Sequence, residues 1–103
     1  MAEARRLILQ TKLEELVGNK NVYYDPPENL KMRYPAIRYS KSKISTRHAD
    51  DKIYNKMVRY ELIVISSEPD SEVINKILEM PYSSFDRHYI SDNLHHDVLT
   101  LYY

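Results

Sequence analysis

Along residues 2–17 the apolar side chains Leu9, Leu13, Leu16 and Val17 recur at i, i+4, i+7 and i+8, while Arg5, Arg6, Lys12 and Glu14 fall mostly off that stripe. The spacing predicts an amphipathic helix. Gly18 and Asn19 follow it, the two residue types that adopt a left-handed backbone at least cost, so the helix ends there. Asn21–Tyr24 is a short apolar stretch cut by Asp25, Pro26 and Pro27, which predicts a short strand and then a stiff extended arm to Tyr34. From Pro35 to about Ser45, apolar and polar residues alternate over the first half, as in a strand opened by a proline. Thr46–Lys52 is polar throughout with charges of both signs, and predicts a loop joining two antiparallel strands. Tyr54–Ser66 carries Val58, Tyr60, Leu62 and Val64 on one face and Ile63 and Ile65 on the other; apolarity on both sides marks a central strand.

Pro69, Asp70, Ser71 and Glu72 place a proline and acids where a helix begins, and Val73, Ile74, Ile77 and Leu78 repeat on one face until Pro81. A second helix of about ten residues is expected. Ser84–Ile90 and Leu94–Tyr103 read as two more strands, joined through Ser91, Asp92 and Asn93, residues that accept turn geometry without glycine. The order helix, short strand, hairpin, helix, hairpin predicts an α+β fold: a mostly antiparallel four- to five-stranded sheet with two helices packed on one face.

A length of 103 residues fits one domain, 1–103, because a split would leave neither part a sufficient core. There are 15 basic and 15 acidic residues, so the overall positive field of a general nucleic-acid binder is missing. With no cysteine, disulfides, thiolate metal sites and cysteine nucleophiles are excluded, a composition that suits a reducing compartment. The single glycine, Gly18, leaves no material for Gly-rich phosphate cradles or nucleophile elbows. No apolar run approaches a membrane span and the N-terminus lacks a signal-peptide block, so a soluble chain made in the cytoplasm is expected.

Charge is unevenly spread. Residues 1–60 hold 13 basic and 7 acidic side chains, residues 61–103 hold 2 and 8, or +6 against −6. Two readings follow: oppositely charged elements pack together within one subunit, or a basic face of one copy meets an acidic face of the next and a ring closes. Between Lys31 and His48 lie six basic residues and no acid, including the candidate contact residues Lys41, Lys43 and Arg47; the plainer role is a solvated strand that resists sticking to other sheets. Ten tyrosines stand beside one phenylalanine and no tryptophan. Tyr39, Tyr60 and Tyr89 suit core filling, whereas Tyr23, Tyr24, Tyr102 and Tyr103, near element ends, suit a subunit contact. His88, His95, His96, Asp97 and Asp86 do not make a metal site on this reading, because His95 and His96 project to opposite faces of a strand. Ser83, Ser84, His88 and Asp86 likewise lack a glycine-lined oxyanion loop. No catalytic residue, cofactor or metal is expected.

Three segments taken together carry a resemblance: Pro26-Pro27-Glu28-Asn29-Leu30-Lys31-Met32 running into Tyr34-Pro35-Ala36-Ile37, then Glu68-Pro69-Asp70-Ser71, then Ser84-Phe85-Asp86-Arg87-His88-Tyr89 with Asp92-Asn93-Leu94-His95-His96-Asp97-Val98. With the closing Leu101-Tyr102-Tyr103, they resemble the small tail terminator, or tail completion, neck proteins of long-tailed bacteriophages. The resemblance implies a structural protein of the virion neck, assembled in the host cytoplasm. Such proteins form a ring, commonly six-fold, that caps the tail tube and docks to the head connector, with DNA passing through the lumen at most. Partners would be further copies of the chain, the tail tube protein and the connector or stopper protein. Asp86 and Arg87 are candidates for a subunit contact, and Thr46–Lys52 for a segment that orders when neighbours arrive. Two other functions remain open, a head-completion or stopper protein closing the DNA exit, and a nucleic-acid-binding regulator using Lys31–Arg47 as its phosphate face.

Overall fold

The computed structural model describes residues 2–27, 31–49, 52–68 and 71–103, with the backbone alone for 2–4, 43–49 and 52–57. Helix α1 spans Ala2–Val17, β1 Val22–Tyr24, β2 Ala36–Ala49, β3 Lys52–Ser66, α2 Glu72–Leu78, β4 Ser83–Ser91 and β5 Leu94–Tyr102. The strands form one sheet in the order β1-β2-β3-β5-β4. Only β1 and β2 are parallel; the other pairings are antiparallel. The expected α+β fold, with a mostly antiparallel sheet and two helices, is therefore present.

Each helix ends for a local reason. Gly18 takes φ +81 after α1, and its N–H donates to the Glu14 carbonyl at 3.0 Å. Ser71 caps α2 by accepting from the Val73 N–H at 3.4 Å. This helix has seven residues rather than the expected ten, because the chain must leave helical backbone ahead of Pro81. Between β4 and β5, Asp92 and Asn93 take φ +54 and +61, the paired left-handed conformation that matches the twist of a tight hairpin.

Register sorts the side chains. Leu62 of β3 lies opposite Tyr39 of β2 and Leu99 of β5, and Tyr60 lies opposite Leu101. These residues meet Leu9 and Leu13 from α1 and Val73 and Ile77 from α2 in one buried cluster. Tyr39 is fully buried, its hydroxyl donating to Gln10 Oε1, and burial pushes the Tyr39 and Tyr60 hydroxyls above their ordinary pKa of 10.0. β3 is the central strand, as its two-sided apolarity predicted.

The expected loop at Thr46–Lys52 is corrected: Thr46–Ala49 continue β2, and Lys52 begins β3. Polarity there does not require irregular backbone, since a two-stranded ribbon satisfies its own hydrogen bonds whatever its side chains. Without that loop, the idea of a segment that orders on contact loses its basis; residues 50 and 51 lie outside the described residues. Pairing of β3 with β5 stops at Arg59–Tyr102, whereas β2 and β3 stay paired out to Ala49–Lys52. The β2–β3 hairpin thus runs on as an arm, and the molecule measures 52 × 24 × 22 Å. A bulge between Lys41 and Lys43 marks the arm's base, where Ser42 Oγ donates to the Arg59 carbonyl at 3.1 Å and Arg59 Nε donates back to Ser42 Oγ at 3.0 Å.

Candidate functional site

The two ends of the strand order carry different chemistry. β1 is three residues long and sheltered: Tyr24 packs 5.0 Å from Tyr39, and the Arg6 guanidinium lies 4.2 Å above its ring. β4 is nine residues long, pairs on one side only, and is exposed along nearly its whole length, with Phe85 47% and Ile90 63% accessible. Such an edge offers free backbone donors and acceptors to another chain.

A bulge between Phe85 and Arg87 interrupts this edge. Asp86 occupies it and accepts from Arg87 at 2.8 Å, both side chains about half exposed. The two candidate contact residues on β4 are therefore neighbours on an open edge. Lys41 is exposed on β2, on the opposite side of the sheet, close to the arm's base. Lys43 and Arg47 lie in the arm portion of β2, opposite Arg59 and Asn55 in register; their side chains fall outside the described residues. The structure does not bring these five residues together within one chain.

The charge division is spatial in part: β2 carries Arg38, Lys41, Lys43 and Arg47 with no acid, whereas β4 carries Asp86 beside Arg87 and β5 carries Asp97. Among the described residues, the Asp86–Arg87 ion pair and the His88–Asp97 contact both lie within residues 61–103, and no ion pair joins these to residues 1–60. Arg5 and Arg6 engage aromatic rings instead, those of Tyr103 and Tyr24.

A cavity of about 440 Å³ opens where α1 passes the end of β5, lined by Arg5, Lys12, Leu16, Met80, Tyr82 and Tyr103 among others. Tyr103 sits under two cations, Arg5 at 5.0 Å and Lys12 at 5.4 Å, and Arg5 Nε donates to the Tyr103 carbonyl at 3.2 Å. Tyr24 and Tyr103, expected at a subunit contact, are thus committed within the subunit. Tyr89, expected in the core, is 38% exposed on the face away from the helices, stacked 4.7 Å from His96. The bulge at Asp86 causes this: it shifts the alternation, so that Phe85 and His88, rather than Phe85 and Tyr89, share the helix-side face.

The same shift assembles a cluster that the sequence hides. Asp97, 5% accessible, holds His88 Nδ1 at 2.6 Å, and His88 Nε2 lies 3.2 Å from His95 Nδ1. His88 thus pairs with Asp97, not with Asp86, and the serine arrangement around Ser83 and Ser84 does not form. His95 and His96 do point to opposite faces, as strand geometry required. Among the described residues, no three His, Asp or Glu side chains converge as a metal site. No helix among them is long and apolar enough to cross a membrane. No family model matches the chain, and neither a curated protein nor a solved structure matches it.

Proposed function

We propose that this chain is a ring-forming virion protein of the tail-terminator kind, which closes the growing end of a phage tail tube and offers the head connector a docking surface. The observation that carries the reading is the combination of a long, exposed β4 edge at one end of the strand order with a β2 toward the other end that holds Arg38, Lys41, Lys43 and Arg47 and no acid. Two unlike sides on one subunit produce head-to-tail contacts that close when the rotation per copy divides a full turn. The open β4 edge, with Asp86 and Arg87, supplies one side. The basic side, with Lys41, Lys43 and Arg47, supplies the other. The resemblance of the three segments to tail terminators supports placing such a ring at the neck, where its rims would meet the tail tube and the connector and its lumen would pass DNA.

Purified protein added to polymerising tail tubes should fix their length and change their tips in electron micrographs. Virions assembled without it should leave full heads beside overlong or unjoined tails. Tubes unchanged by the protein, with head joining that proceeds without it, would overturn the proposal; heads that leak DNA would move the chain to the connector as a stopper. Binding to DNA that falls steeply with added salt would favour a regulator instead.

A further inference from the structure

We propose that His88 and His95 form a two-histidine site for a divalent transition-metal ion, with Asp97 as the residue that orients His88. The inference stands apart from self-association and rests on the geometry of the β4–β5 hairpin alone. His88 and Asp97 are directly opposite in register, and His95 lies two residues from Asp97 on the same face. The nitrogens that face each other, His88 Nε2 and His95 Nδ1, are 3.2 Å apart. Two imidazoles bound to one ion through bonds of about 2.0–2.1 Å bring their nitrogens to about 2.9 Å at a right angle and about 3.4 Å at the tetrahedral angle. The observed separation falls between these limits.

The rings agree with the nitrogens. Their centroids are 5.2 Å apart at an interplanar angle of 32°. One ion shared at the angle that this nitrogen separation implies would place the centroids at about 5.0 Å, close to the separation present. Without metal, the two nitrogens share a hydrogen bond. An ion takes the place of its proton, which moves to His95 Nε2 as that ring changes tautomer.

Asp97 supplies what a metal-binding histidine needs from its surroundings. Its carboxylate is buried and accepts from His88 Nδ1 at 2.6 Å, which fixes the tautomer that leaves the Nε2 lone pair pointing outward. His88 and His95 are both partly open to solvent, so an ion can enter without unfolding the hairpin. Two protein ligands leave the remaining positions to water. The site is accordingly weaker than a three-ligand one and favours Cu²⁺ over Zn²⁺ by the general order of imidazole affinity. His96 is excluded, since it faces the other side of the sheet against Tyr89.

Isothermal titration of the purified protein with CuCl₂ and with ZnCl₂ tests the site, together with substoichiometric Cu²⁺ in an amide-resolved NMR spectrum. Expected are one Cu²⁺ per chain, weaker Zn²⁺ binding, and paramagnetic broadening centred on residues 88 and 95. His88→Gln and His95→Gln should each weaken binding at least tenfold, while His96→Gln and His48→Gln leave it unchanged. Asp97→Asn, checked for native circular dichroism, should cost about tenfold. Because His95 is only partly buried, its variant keeps the test decisive even if Asp97→Asn fails to fold. Absence of saturable binding, binding that survives His88→Gln and His95→Gln, or broadening centred on residue 48 or 96 would overturn the proposal.

Discussion

The sheet is finished in opposite ways at its two edges. At β1, three residues are enough, because Tyr24 is clamped between Tyr39 and the Arg6 guanidinium and the chain then leaves through Pro26 and Pro27. At β4, nine residues stand with one ladder unpaired, interrupted only by the Asp86 bulge. The difference teaches that exposure here is a matter of position rather than polarity: Phe85 and Ile90 are apolar and open, while Asp97, one strand inward, is charged and buried. An edge with apolar side chains, free backbone groups and a bulge is poised for a partner, and its bulge limits which partners can pair along it.

The largest effect should come from the strand both edges depend on. Leu62→Ala removes a fully buried side chain at the middle of β3 and should cost about 3 kcal/mol, read from urea denaturation, with all probes falling together. Loss of the β4–β5 hairpin signal ahead of the rest would instead make the edges separate units. Next comes a matched pair of truncations. Tyr24→Ala should cost about 2 kcal/mol and Tyr89→Ala under about 1 kcal/mol, because the first is packed into the core and the second lies on the uncovered face. Equal costs would erase the contrast between closed and open edges.

Alkaline pH sharpens the same contrast from the inside. Tyr39 and Tyr60 have hydroxyls raised by burial, so above pH 10 the unfolded chain loses these protons before the native one does. Stability should be fully present below pH 10 and fall as pH rises past it, and Tyr39→Phe should flatten the fall in a denaturation series across that range. Smaller still, Ser71→Ala should cost about 0.5–1 kcal/mol through the lost α2 cap. Asp86→Ala should leave the stability of the lone subunit unchanged within error, since an exposed pair between neighbours contributes little.

Much of the fold was legible because periodicity reports burial. The two-sided apolarity of residues 58–65 placed β3 at the centre, and Leu9 and Leu13 are buried as their spacing required. What escaped the sequence depended on long-range register. No local signal told that Thr46–Ala49 remain paired, since their hydrogen bonds are made by backbone. A period-two reading of Ser84–Ile90 puts Phe85, Arg87 and Tyr89 on one face; the bulge at Asp86 breaks that rule and turns His88 toward Asp97 instead. The Asp97–His88–His95 cluster was hidden for the same reason, because residues adjacent in the chain draw attention and residues adjacent across a hairpin do not. The division of charge along the chain, by contrast, was readable in sequence, and the structure places its most basic run on β2.

Sedimentation velocity on the wild-type chain and three charge variants tests that division most directly. The account predicts a closed oligomer at low salt that dissociates as salt is raised, monomers for Asp86→Lys and for Lys41→Glu alone, and recovery of the oligomer when both substitutions are carried by one chain. A wild-type chain that stays monomeric at every salt and protein concentration, or an oligomer indifferent to either single substitution, would contradict it.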